Sequence, residues 1–137
     1  HKVPVEEVVP GNGSDEIIDL LIRIRAVPGV HNVVTCDPCF SIYPLQTRLA
    51  GVELRQAPLK QDFSFDGDKI LSLTDNNTAI VFLTTPDNPS GYCPPREEVV
   101  AFAKKLPPFT LLVIDEAYMD FVDDEKNISV LSMEKRP

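Results

Sequence analysis

A chain of 137 residues suits one compact domain and leaves little room for two. With 43% hydrophobic and 25% charged residues it is neither a disordered tail, a fibre nor a disulfide-dense miniprotein. Thirteen basic residues against twenty-one acidic ones leave a formal net charge of -8, which opposes nucleic acid and anionic membranes as partners.

No apolar run approaches the roughly 20 residues needed to cross a bilayer. The opening HKVPVEEVVPGNG has no initiator Met and no charged-then-apolar signal pattern, so it reads as part of a longer cytoplasmic chain. The three cysteines, Cys36, Cys39 and Cys93, cannot all pair internally, which fits a reducing compartment.

Short apolar runs alternate with helical patterns, which predicts an α/β fold with a mostly parallel sheet. GNGSDE opens a helix, with Ser14 or Asp15 able to cap its free amides, and the apolar spacing from Ile17 to Ile24 carries it toward Pro28-Gly29. Val30 to Thr35 predicts a strand, Phe40 to Leu49 a helix stopped by Gly51, and Val52 to Ala57 a second strand. Asp66 to Leu73 has helical character. Ala79 to Leu83 shows no alternation, as expected of a strand buried on both faces. TTPDNPSGYCPP is a loop of turn formers, with Pro95 suited to the first position of the helix REEVVAFAKKL. Pro107-Pro108 stops that helix, and Leu111 to Ile114 form another buried strand running into DEAY. Beyond Phe121 the chain turns acidic and then amphipathic.

Ligands of open α/β sheets gather at the carboxyl ends of the strands. That edge collects Asp115 after LLVI, Asn88 after AIVFL, Cys36 to Phe40 after HNVVT, and the helix start GNGSDE. A carboxylate, an amide, an aromatic ring and an anion-ready helix end are thus expected together. A carboxylate ending an apolar strand is costly unless a cationic partner stabilises it.

In order and spacing over Val9 to Phe121, the motifs GNGSDE, CDPCFSIY, TTPDNPSG and DEAYMDF resemble those of the fold-type-I pyridoxal-phosphate aminotransferases, and come closest to the histidinol-phosphate aminotransferase branch. The resemblance implies a three-layer α/β/α architecture, with residues 1–137 forming part of the cofactor-binding large domain. It implies that Asp115 pairs with the pyridine nitrogen of pyridoxal 5'-phosphate, keeping the ring an electron sink. Tyr118 and Asn88 would hydrogen-bond the 3-oxygen of the ring, and Asp87 stands where the family often has a second Asn. Gly13, Ser14 and Asp15 would offer backbone amides to the phosphate, Gly13 allowing close approach. Phe40 would stack on the pyridine ring, and Tyr43, one helical turn on, would face the substrate.

The resemblance further implies a homodimer, a small-molecule amino donor (histidinol phosphate or an α-amino acid) and a 2-oxo acid acceptor. The family's Schiff-base lysine has no match in these residues. Lys135, in LSMEKRP, falls too early in the pattern and takes no catalytic role. By the same resemblance the N-terminal arm, the lysine-bearing strand and the small C-terminal domain lie outside the segment, and the segment alone is expected to be inactive.

Three other readings compete. Threonine-phosphate decarboxylase-like enzymes share the same framework. Cys36-Asp37-Pro38-Cys39, between a strand and a helix, is the placement of a thioredoxin-like dithiol, whose first thiol a helix N-terminus would acidify. A receiver-like module would hold Mg²⁺ on Asp115 and Glu116, but only one strand ends in acids, and three cysteines fall short of a structural zinc set. No metal is expected.

Overall fold

The structure is a computed structural model and describes residues 3–132. Four apolar runs form its sheet: β1 (Asn32–Asp37), β2 (Glu53–Pro58), β3 (Thr78–Thr84) and β4 (Leu111–Asp115). The strand order is β2-β1-β3-β4, and every pairing is parallel. Helix α1 (Gly13–Arg25) precedes the first strand, and α2 (Ile42–Leu49), α3 (Gly67–Ser72) and α4 (Arg96–Ala103) make the crossovers. A short α5 (Glu125–Ile128) follows β4.

Successive strand residues feed opposite cores, which is why the sequence of β1 and β3 shows no polar alternation. Val33, Ile80 and Phe82 pack with Ile18 and Ile22 of α1 and Tyr43 of α2. Their neighbours Val34, Val81 and Leu83 pack with Ile70 of α3 and Phe102 of α4. Helices therefore cover both faces, giving the expected three layers. Truncating a fully buried residue such as Ile22 to Ala would cost about 2–5 kcal/mol.

A polar network fixes where the strands begin. The buried Asn32 accepts from Thr78 Oγ1 at 2.8 Å and donates to Asp75 Oδ1 at 3.1 Å. Arg55 closes the network from β2, reaching Asp75 Oδ2 at 2.7 Å. This latch lies at the amino ends of the strands and leaves the opposite edge for ligand chemistry.

Several boundaries differ from the sequence reading, each for a local reason. β1 starts at Asn32 because the amides of Val30 and His31 both turn back to the carbonyl of Val27, through Gly29 at φ +76°. It runs on to Asp37 by pairing with Pro58, so Cys36 belongs to the strand. Pro95 caps α4 in an extended conformation (φ -58°, ψ 143°) instead of entering the helix. Asn12 precedes α1, and no side chain caps that helix, so neither Ser14 nor Asp15 serves as a cap. Glu16 folds back instead, and its Oε2 accepts from the Asn12 amide at 2.6 Å. Lys135 lies outside the described residues. Among the described residues no helix is long and apolar enough to cross a membrane.

Candidate functional site

The pairing of β3 with β4 ends at Thr84 beside Asp115, so the carboxylate sits on the last rung of the sheet. Asp115 Oδ1 accepts the Ala117 amide at 3.1 Å, and Oδ2 accepts the Tyr43 hydroxyl at 2.8 Å. Tyr43 is only 1% exposed. Its ring stacks on Phe82 with centroids 4.7 Å apart and planes 7° from parallel. Its oxygen also lies 2.8 Å from Thr84 Oγ1. A phenol has one proton to donate, and Tyr43 donates it to Asp115, so Thr84 is the donor in that second contact. Burial, with the Asp115 charge adding to it, pushes the Tyr43 phenol well above its ordinary range, so it keeps its proton. Tyr43, expected to face a substrate, is packed beneath Asp115 with its ring stacked on Phe82, and it also lines the cavity that Asp115 borders.

Asp115 and Tyr43 share a cavity of about 320 Å³ with Gly13 and Ser14 at the start of α1. The opening amides of an uncapped helix carry partial positive charge. The cavity therefore has a cation-accepting carboxylate on one wall and an anion-receiving helix end on another. Gly13 owes its place to backbone conformation: φ is +81°, whereas an added Cβ would meet no protein atom within 4 Å. The side chain of Asp15 is exposed, and the residue is not part of the cavity wall.

Phe40 is half-buried and packs edge-on against Tyr43, with centroids 5.6 Å apart and an angle of 84°. It stands beside the Tyr43–Asp115 pair and is not among the residues lining the cavity. Asn88 and Tyr118 meet each other, Asn88 Nδ2 donating to the Tyr118 hydroxyl at 3.3 Å. Asp87 shapes the Asn88 loop, since its Oδ2 accepts from both the amide and the hydroxyl of Ser90. Sequence order thus yields two clusters, Phe40–Tyr43–Asp115 and Asn88–Tyr118, at one sheet edge.

The role of Glu116 was not visible in the sequence. Its Oε2 accepts from Ser129 Oγ at 2.7 Å and its Oε1 from the Val130 amide at 2.8 Å, tying the chain after α5 back to β4. Asp115 and Glu116 therefore turn to different partners and do not converge as Mg²⁺ ligands. Among the described residues no group of three or more His, Cys, Asp or Glu side chains could hold a metal.

The dithiol reading fails on the position of Cys36. The residue lies inside β1 and is buried against the α3–α4 core, while α2 begins only at Ile42. Burial, reinforced by Asp87, pushes its thiol up to about 12, the opposite of the acidification expected from a helix N-terminus. The neighbouring Cys39 thiol is also raised, again mainly by burial.

The profile of the family "Aminotransferase class I and II" matches residues 1–137. The chain belongs to that family. Among the relatives of this aminotransferase-family chain, the histidinol-phosphate aminotransferase of Nitratidesulfovibrio vulgaris strain DP4 is 63% identical over 132 residues, covering 96% of this chain and 35% of that protein. The histidinol-phosphate aminotransferase of Oleidesulfovibrio alaskensis is 61% identical over 129 residues, covering 94% of this chain and 34% of that protein. The crystal structure of histidinol-phosphate aminotransferase from Sinorhizobium meliloti in complex with pyridoxal-5'-phosphate superimposes with a TM-score of 0.80 at 31% identity, over 93% of this chain and 34% of that one. The aminotransferase-family chain thus spans about a third of the length of the curated relatives it matches.

Proposed function

We propose that this segment supplies half of the cofactor site of a pyridoxal 5'-phosphate-dependent aminotransferase, and that the whole protein moves an amino group from histidinol phosphate to a 2-oxo acid. The observation that carries the reading is the shared cavity, in which Asp115 and the uncapped start of α1 face one space. That donor set suits a ligand with a protonated ring nitrogen and a phosphate. The high identity to relatives named histidinol-phosphate aminotransferase supports this donor over other amino acids.

When bound, the cofactor supplies an electron-poor ring able to take up the electron pair released from the α-carbon of the amino donor. Asp115 holds the proton on the ring nitrogen by accepting its hydrogen bond. The amides of Gly13 and Ser14 receive the phosphate, helped by the helix dipole. Tyr118 and Asn88 present a hydroxyl and an amide to the ring oxygen, and Phe40 offers an aromatic face. Asp15 contributes through its backbone amide, with its carboxylate kept in solvent. The nucleophilic lysine, the second half of the site and the small domain belong to chain outside this segment. A homodimer in the cytoplasm completes the reading, and three free thiols fit that compartment.

The test is titration of the full-length polypeptide with pyridoxal 5'-phosphate, followed by visible absorbance, and assay with histidinol phosphate and 2-oxoglutarate. Asp115→Ala should nearly abolish amino transfer while leaving the thermal melt in place. A folded wild-type protein that develops no visible band, or an Asp115→Ala variant with near-normal turnover, overturns the reading.

A further inference from the structure

The cavity carboxylate is tied to one buried side chain. Asp115 sits at the last rung of β4, where its backbone is fixed but its side chain still has two rotatable bonds. The Ala117 amide holds Oδ1 at 3.1 Å, and that contact alone leaves the far oxygen free to swing. The Tyr43 hydroxyl at 2.8 Å removes that freedom. Tyr43 is itself held on three sides, by the parallel stack on Phe82, the edge of Phe40 and the Thr84 hydroxyl at 2.8 Å. Thr84 fills the acceptor side of the phenol, so the one proton of Tyr43 is directed at Asp115 and the fixed position of the ring is passed on to the carboxylate.

We propose that Tyr43 is a positioning residue that orients the Asp115 carboxylate toward the cavity, so that its remaining lone pairs meet a cationic N–H donor. The inference rests on the cofactor reading above and adds to it a residue whose hydroxyl acts through Asp115. Tyr43 donates one hydrogen bond to each orientation of the carboxylate that keeps Oδ2 over α2, and none to the others. Preorganisation of this kind raises affinity by removing the ordering cost from the binding step. Thr84 acts one step further back: by donating to the phenol oxygen it polarises the O–H bond that Tyr43 donates to Asp115.

The experiment is a double-mutant cycle on the full-length polypeptide, read as the dissociation constant of pyridoxal 5'-phosphate from equilibrium dialysis. Tyr43→Phe keeps the ring and its stack on Phe82 and removes only the hydroxyl. It should weaken binding by about tenfold, the equivalent of one modest hydrogen bond. In an Asp115→Asn background the same substitution should have little further effect, because the group it orients no longer accepts the cationic donor. A purely structural Tyr43 would instead weaken both backgrounds by the same factor.

Thr84→Val, which leaves Tyr43 in place, should lose about threefold in the same direction, roughly half the Tyr43 effect in free energy. That variant carries the same cycle if Tyr43→Phe does not fold, as judged by its thermal melt. Wild-type affinity in Tyr43→Phe, or additive losses across the cycle, overturns the proposal. Failure of the folded wild-type protein to bind the cofactor overturns the functional reading itself, an outcome separate from an unaffected variant.

Discussion

Replacing Glu116 by Ala removes the acceptor of two hydrogen bonds that hold the chain after α5 against β4. Ser129 Oγ and the Val130 amide donate to its two oxygens at 2.7 and 2.8 Å. Hydrogen bonds to a charged group contribute about 1.5–3 kcal/mol each, and Glu116 is only half-buried, so the lower end applies. Two such bonds give about 3 kcal/mol, or roughly a hundredfold shift in local opening.

The assay is amide hydrogen exchange in the full-length polypeptide, compared between peptides covering 129–131 and peptides covering β3. Glu116→Ala should speed exchange in the first by about a hundredfold and leave the second unchanged. Glu116→Gln keeps an oxygen for Val130 and an amide that Ser129 can accept, and it loses only the charge. Its exchange should rise by no more than about tenfold. Unchanged exchange in the Ala variant, or an equal rise in β3, refutes the clamp.

Two further outcomes follow from the perturbed groups. Asp75 is held down to about 2, chiefly by Arg55 and then by the Asn77 amide. Its contribution to stability is therefore full above about pH 4 and fades as pH falls toward 2. With its side chain 44% exposed, solvent screening limits this to about 1 kcal/mol. The difference in denaturation midpoint between wild type and Asp75→Asn should shrink between pH 5 and pH 2.5, and a constant difference refutes the assignment. Cys36, 6% exposed and pushed up to about 12, should resist alkylation in the folded protein at pH 8 by two to three orders of magnitude, roughly as its thiolate fraction falls. Rapid labelling of Cys36 by iodoacetamide, mapped by mass spectrometry, would revive the dithiol reading.

Covalent spacing and apolar patterning determined the elements, and they are legible residue by residue. The short uninterrupted run AIVFL, with its β-branched residues and flanking turn formers, fits a strand buried on both faces, and β3 is buried so. Turn formers between such runs leave helices as the crossovers, and parallel strands follow from that. The rule that ligands gather at strand ends then brings Asp115, Asn88 and the start of α1 to one edge before any contact is known. Limits set by local hydrogen bonding were less legible. Pro95 suits a helix's first position on φ alone, but its ψ of 143° places it outside α4.

What tertiary structure alone decided is which side chains pair across elements. Tyr43 and Asp115 are 72 residues apart, and their hydrogen bond exists because α2 and β4 both pack on Phe82 of β3. Glu116 in DEAY looks like one more surface acid until the chain returns to it at Ser129 and Val130. Cys36 in a C-x-x-C spacing looks reactive until the register of β1 against β2 carries it into the core. The local sequence sets backbone preference and apolar rhythm, whereas the pairing and protonation of a polar group depend on neighbours that only packing brings within a few ångströms.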